Sequence, residues 1–462
     1  MEQVLRASRV MSDANRPAQR GLAIMAILPL LIGCRKRSEE VGQQQPEPKP
    51  EGVVWVHTFE GTGEEVATGV ATDSKGVLVV GWFTRDLARP SGVANTRGKS
   101  DMYVARLARD GKLEWLRDFG SAEADYAHAV SASNGLTVVG GEVSNAIEID
   151  DARSAEGRKD EFEMRPPLVF GLDTQGRHAW NLSLGVKESG AVMAIAGNEQ
   201  SFVVAGHSYG TGRDRDLGAG TIECNDSAGF VSRIDPQGAV AFVRCSNTGP
   251  RLGESVVSRI AIGKGQDLAA CGLYVIRISF GGPDLRSKDH DTRTLFVAAF
   301  GADGATRWQL AAEGQEFSEG CVGVAALDDG AVVVATNADG KLGGGELGKG
   351  TVISLRDGKA QWTAELPELL GEERASVAAL ARDGARLWVA GVGKRGAVVL
   401  PLDAATGKAV GEPRWIGDMA PAALAVGEHL YLAGAFTGEV TLAGHAVRSH
   451  GDSDAVVLAL PR

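Results

Sequence analysis

The chain of 462 residues is poor in several things a reader might look for first. Positive charge is scarce: 48 Lys and Arg stand against 59 Asp and Glu, a net charge of −11. The first 33 residues hold four Arg and only two acids, so without them the net charge falls to −13. That balance disfavours nucleic acid or an anionic lipid surface as a partner. No G-X-Y period is present, which excludes a collagen-like chain. Apolar residues at 44% and charged residues at 23% exclude wholesale disorder. Glycine, in contrast, is abundant: 62 of 462 residues, near twice the usual ~7%, which implies many tight turns and many short strands. A prior of one domain per roughly 150 residues suggests three, but all-β barrels and propellers exceed that size as one unit.

The apolar run Leu22 to Ile32 (LAIMAILPLLI) has 11 residues, short of the ~20 a membrane-spanning helix needs. Arg6, Arg9, Arg16 and Arg20 precede it, which is the layout of an export signal. The run ends in Leu31-Ile32-Gly33-Cys34, which resembles the lipobox of bacterial lipoproteins. The resemblance implies that residues 1–33 are removed and that Cys34, carrying a diacylglycerol on its sulfur, becomes the first residue of the mature chain. Met11 is an alternative start to Met1, and it leaves the layout unchanged. Arg35 stands where better-known lipoproteins retained in the inner membrane carry Asp, so the resemblance implies the outer membrane. Residues 34–51, RKRSEEVGQQQPEPKPE after the cysteine, are polar and proline-containing, a flexible tether.

From Val53 onward a pattern repeats. Each unit has a small-residue strand such as AHAVSAS (127–133) or SVAALA (376–381), then an apolar strand ending near Gly, as in VLVVG (77–81) and FVVAG (202–206). A polar loop, a further strand, a Gly turn and an aromatic follow. The aromatics are Trp55, Trp115, Trp180, Phe242, Trp308, Trp362 and Trp415, a mean spacing of 60 residues. The apolar strands number seven and lack clean alternation, as expected for strands buried on both faces. Each unit holds four strands, and the Gly turn makes a hairpin of the last two.

Seven such units predict an all-β seven-bladed β-propeller over residues 52–462. The last unit ends at Val456 to Leu460 with no outer strand of its own, while Val53 to Phe59 precedes the first inner strand. The N-terminal strand is therefore expected to complete the last blade, which removes the exposed edges. These repeats resemble the seven-bladed β-propeller repeat of many bacterial surface proteins and lipoproteins, with its D-G-turn-W hallmark. LDAATGKAVGEPRW (402–415) also resembles the docking motif of quinoprotein-like propellers, although the other five turns lack its Thr-Gly-Lys.

Few constellations suggest chemistry. Gly206-His207-Ser208-Tyr209-Gly210 fits the G-x-S-x-G nucleophile elbow, which requires a strand, a sharp turn and a helix; a glycine-rich polar loop follows instead. Gly343 to Gly348 fits G-x-G-x-x-G, but Gly350 stands where a phosphate loop needs Ser or Thr, and no helix is expected after it. His445, His450, Asp452 and Asp454, and separately Asp289-His290-Asp291, have neither zinc nor calcium spacing and are expected in solvated loops. Trp82 and Trp388 are expected to pack within blades, with lining of the channel mouth as the alternative. No metal ligand, catalytic residue or cofactor is assigned.

With Cys34 given to lipid, Cys224, Cys245, Cys271 and Cys321 remain. An even number in an exported protein favours disulfides: Cys224 with Cys245 within the third blade, and Cys271 with Cys321 between the fourth and fifth. Buried free thiols are the alternative. The expected function is that of a lipid-anchored, monomeric binding or scaffold module of the cell envelope, held to the membrane by Cys34 and recognising a protein or an envelope polymer. The alternative is a propeller hydrolase, lyase or quinone-dependent oxidoreductase with its site over the channel, since the fold hosts both.

Overall fold

The structure is a computed structural model that describes residues 52–144, 147–150, 152–153, 166–184, 189–210, 214–216, 221–224, 227–248, 253–314 and 320–462. Residues 1–51, including the export signal, Cys34 and the tether, lie outside the described residues. The propeller expectation is met. Seven four-stranded antiparallel sheets follow one another along the chain. Their inner strands are Glu65–Thr72, Tyr126–Ser133, Ser189–Gly197, Glu254–Ile262, Cys321–Ala326, Ser376–Asp383 and Ala420–Val426, which begin blades 1 to 7 respectively. The second strands are Gly76–Phe83, Leu136–Glu142, Phe202–Tyr209, Leu268–Val275, Val332–Thr336, Arg386–Gly393 and Leu430–Phe436.

The outer strand of blade 7 is Trp55–Phe59, paired antiparallel with Asp454–Leu460 from Trp55 opposite Ala459 to Phe59 opposite Ala455. The ring thus closes through the N-terminal strand, which begins at Trp55 instead of Val53. The apolar side chains form seven buried clusters, one between each pair of neighbouring blades. In Gly76–Phe83, Val77 and Val79 face blade 7, and Leu78 and Val80 face blade 2. Two-sided burial is why these strands show no alternation.

Two repeated details explain the glycine content. First, the aromatic of five of the seven outer strands covers the turn of the next blade. A Cβ on Gly111, Gly176, Gly238, Gly304 or Gly407 would collide with Trp55, Trp115, Trp180, Phe242 or Trp362, and all five glycines have positive φ. The indole N–H groups of Trp55, Trp115 and Trp180 donate to Arg109 O, Thr174 O and Pro236 O in those turns. The Trp55 contact crosses the closure, from blade 7 to blade 1.

Second, every inner strand carries a β-bulge at the same place, at Thr68, His128, Met193, Ser258, Val322, Ala378 and Ala422. The bulge swings an inner-strand carbonyl against the second strand. There, a Cβ on Gly81, Gly141, Gly206 or Gly272 would lie on Val66 O, Tyr126 O, Ala191 O or Val256 O. Blade 5 has Thr336 instead, whose hydroxyl donates to the corresponding Gly320 carbonyl at 2.8 Å.

Candidate functional site

Because a bulge adds one unpaired residue, it re-aims that side chain. All seven bulge residues are partly accessible, five of them between buried neighbours on both sides, which places them as a ring around the central channel. The residues following the second-strand glycines, or Thr336 in blade 5, form another partly accessible tier: Trp82, Glu142, His207, Leu273, Asn337, Val392 and Ala435. Antiparallel alternation puts this tier at the face where inner strands begin and second strands end. That face also carries the short β-ribbons, such as Asp86–Arg89 with Gly92–Asn95, found between the second and third strands of every blade except blade 6.

The mouth is one-sided. Blades 6 and 7 contribute Val392, Ala435, Ala378 and Ala422 to the two tiers, whereas blades 1 to 4 contribute the large and polar groups. Trp82 stands edge-on to Tyr126, with ring centroids 5.5 Å apart, and Tyr126 stacks on His128 at 6.2 Å. His207 meets Tyr209 edge-on at 4.9 Å. Burial pushes His128 down to about 4, with the positive charge of Arg259 acting in the same direction. His207 is also pushed down to about 4, by burial and then by His128. Both rings are therefore neutral at pH 7. Arg259 of blade 4 thus acts on His128 of blade 2, and His128 acts on His207 of blade 3. Burial lifts the Tyr209 phenol to about 12, so it remains a hydrogen-bond donor.

The motifs that the sequence offered resolve as structural elements. His207, Ser208 and Tyr209 lie inside the strand Phe202–Tyr209, so G-x-S-x-G here is no nucleophile elbow. Gly343 and Gly344 form the turn of a ribbon, Gly340–Leu342 with Gly345–Leu347, and the strand Thr351–Arg356 follows. His450 Nδ1 lies 3.2 Å from Asp454 and Asp452 pairs with Arg85 at 3.5 Å. Among the described residues, no group of three or more His, Cys, Asp or Glu is placed to hold a metal. Trp388 is buried between blades 6 and 7, whereas Trp82, expected to be packing, stands at the mouth. The structure joins Cys224 to Cys245, Cα atoms 5.5 Å apart, and Cys271 to Cys321, 6.0 Å apart. Cys34 lies outside the described residues.

Sequence reasoning passed over Tyr126, His128 and Arg259, and met Tyr209 only within the G-x-S-x-G match. A signal for Arg259 was present in the small-residue strands: with the seven aligned, one position reads Gly69, Ala129, Ala194, Arg259, Gly323, Ala379 and Ala423.

No family model matches the chain, and no curated protein matches it. Among solved structures it is similar to the β-propeller domain of the trilobed protease from Pyrococcus furiosus, at 9% identity and a TM-score of 0.45, covering 85% of this chain and 96% of that one. It is similar to the Cps50 (Swd1) β-propeller domain of Myceliophteria thermophila, at 9% identity and a TM-score of 0.44, covering 87% and 99%. Puromycin hydrolase is matched at 14% identity and a TM-score of 0.43, over 85% of this chain and 54% of that one. These likenesses concern the propeller fold only.

Proposed function

We propose that this protein is a lipid-anchored binding module of the cell envelope, with residues 1–33 as the export signal, Cys34 as the anchor and the propeller mouth as the recognition surface. The observation that carries the reading is the one-sided mouth, where Trp82, Tyr126 and Tyr209 present aromatic surface beside two neutral imidazoles. Such rings supply contact area and hydrogen bonds at once. Neither His128 nor His207 hydrogen-bonds a carboxylate among the described residues, so neither has the partner that orients a catalytic base. The ligand class is an envelope polymer or protein, and the outer membrane is the favoured site of anchoring, from Arg35 after Cys34.

The test compares wild type, Cys34→Ala and a Trp82→Ala/Tyr126→Ala variant in native membranes. Wild type should be membrane-bound with a lipid-modified N-terminal peptide by mass spectrometry, and should co-purify with envelope material. Cys34→Ala should be soluble and still bind that material. The double variant should be membrane-bound and fail to bind it. Soluble wild type would overturn the anchor, and unchanged binding by the double variant would overturn the mouth as the recognition surface.

A further inference from the structure

Six blades place Gly or Ala after the bulge, and the packing shows why. A Cβ on Gly69 would come 2.9 Å from Val80, and one on Gly323 would come 2.5 Å from Leu380. Blade 4 alone puts an arginine there, so Arg259 departs from what the repeat requires. Its Nε donates to Val322 O at 3.0 Å and its Nη1 to Ser258 O at 2.8 Å. Both are carbonyls of bulge residues around the channel, so the guanidinium lies across the inner edges of blades 4 and 5. From there its charge reaches His128 on blade 2.

Arg259 has no carboxylate partner among the described residues, and burial is the only influence acting on it. The partly accessible Arg244 likewise bonds only carbonyls, those of Val243, Asp303 and Gly304, whereas the two fully enclosed arginines differ. Arg106 holds Asp73 at 2.8 Å, and Arg233 has the charge of Asp267 nearby. The arginines of the outer cleft beside blade 1 are also paired, Arg89 with Asp118 at 2.6 Å and Arg97 with Asp101 at 2.6 Å. A cation left unpaired in a channel is costly unless something anionic joins it, and in a chain of net charge −11 acids are plentiful.

A guanidinium has five N–H donors. Two are used on carbonyls, which leaves the edge between Nη1 and Nη2 able to take both oxygens of a carboxylate in parallel. Elsewhere in the channel, on blade 3, the Nδ1 of His207 is buried without a hydrogen-bond partner. We propose that the channel holds a carboxylate-binding site centred on Arg259, for a small acid whose ring lies against the aromatic wall of the mouth while its carboxylate reaches the guanidinium. The proposal rests on the mouth being a recognition surface and names the chemistry it recognises.

The test is calorimetric titration of the detergent-solubilised full-length chain with benzoate and with D-glucuronate, using benzyl alcohol and D-glucose as uncharged controls. The two acids separate an aromatic from a sugar ring as the carrier of the carboxylate. At least one acid should bind more tightly than its control. Arg259→Ala should weaken it by about ten- to a hundredfold, the scale of charge-assisted hydrogen bonds, and Arg259→Lys should fall between. Four blades already have Ala at this position, so Arg259→Ala should fold and should melt no lower than wild type, a residue kept for binding at some cost in stability. If Arg259→Ala binds the acid as wild type does, the site is overturned. It is equally overturned if wild type binds neither acid; a melting temperature several degrees lower for Arg259→Ala would then make Arg259 a staple for the Ser258 and Val322 carbonyls. Loss of acid binding alone, with envelope material still retained through Trp82 and Tyr126, would leave the recognition surface standing.

Discussion

Gly111 shows how one residue ties two blades together. Its φ of +82 already disfavours a side chain, and Trp55 occupies the space a Cβ would need. Gly371 has a φ of +64 with nothing within 4 Å, so alanine there meets only the backbone term, about 1–2 kcal/mol. Gly111→Ala adds overpacking of roughly 1–3 kcal/mol. Urea unfolding of the two variants should place Gly111→Ala clearly below Gly371→Ala, and equal midpoints would show that Trp55 does not cover the turn.

Glu65 supplies a pH dependence at the same seam. Its side chain is fully buried, and its pKa is pushed up to about 8, first by burial and then by the negative charges of Asp454 and Asp86. The folded state therefore holds a proton that the unfolded chain releases near 4.5. The associated stability is fully present below the unfolded value and is lost as pH rises through about 8. Glu65→Gln mimics the protonated form, so its melting temperature should decline less than that of wild type from about pH 5 to about pH 9. Parallel curves would contradict the assignment. His128 and His207 act with the opposite sign: kept neutral by the fold, they lose stability as pH falls from 6.5 toward 4.

At the scale of the strand, the repeat was legible because its constraints are local. A turn glycine and an outer aromatic answer to a contact one blade away, and a glycine after an apolar run to a carbonyl of its own inner strand, so they recur at fixed places. The bulges were not legible. A bulge changes which side chain faces the channel without changing composition, and AHAVSAS reads as one more small-residue strand until the register shows His128 turned inward. Trp82 was misassigned for the same reason, since the position after Gly81 reads as strand interior in sequence and is channel mouth in space. The disulfides belong to this scale too. Cys224–Cys245 spans 21 residues within blade 3, and Cys271–Cys321 spans 50 and joins blades 4 and 5. Loops of these sizes correspond to roughly 3–4 kcal/mol each. Thiol labelling of the denatured, unreduced mature protein should find none of these four cysteines reactive, whereas four labelled thiols would remove both bridges.

For the whole molecule, the closed ring is the condition on which the mouth depends. The channel and its tiers of side chains exist only if blade 7 is completed by Trp55–Phe59. Without that strand, the edge at Asp454–Leu460 is apolar and unpaired, open to association with other chains. The most direct measurement is a pair of truncations of the mature chain compared by thermal melting and light scattering. Removing residues 35–51 should leave the melting temperature almost unchanged. Removing residues 35–59 should lower it sharply and bring on aggregation, because the strand and the Trp55 contact go together, and burying a large aromatic alone is worth about 3–5 kcal/mol. Equal melting temperatures for the two truncations would contradict a ring closed by the N-terminal strand.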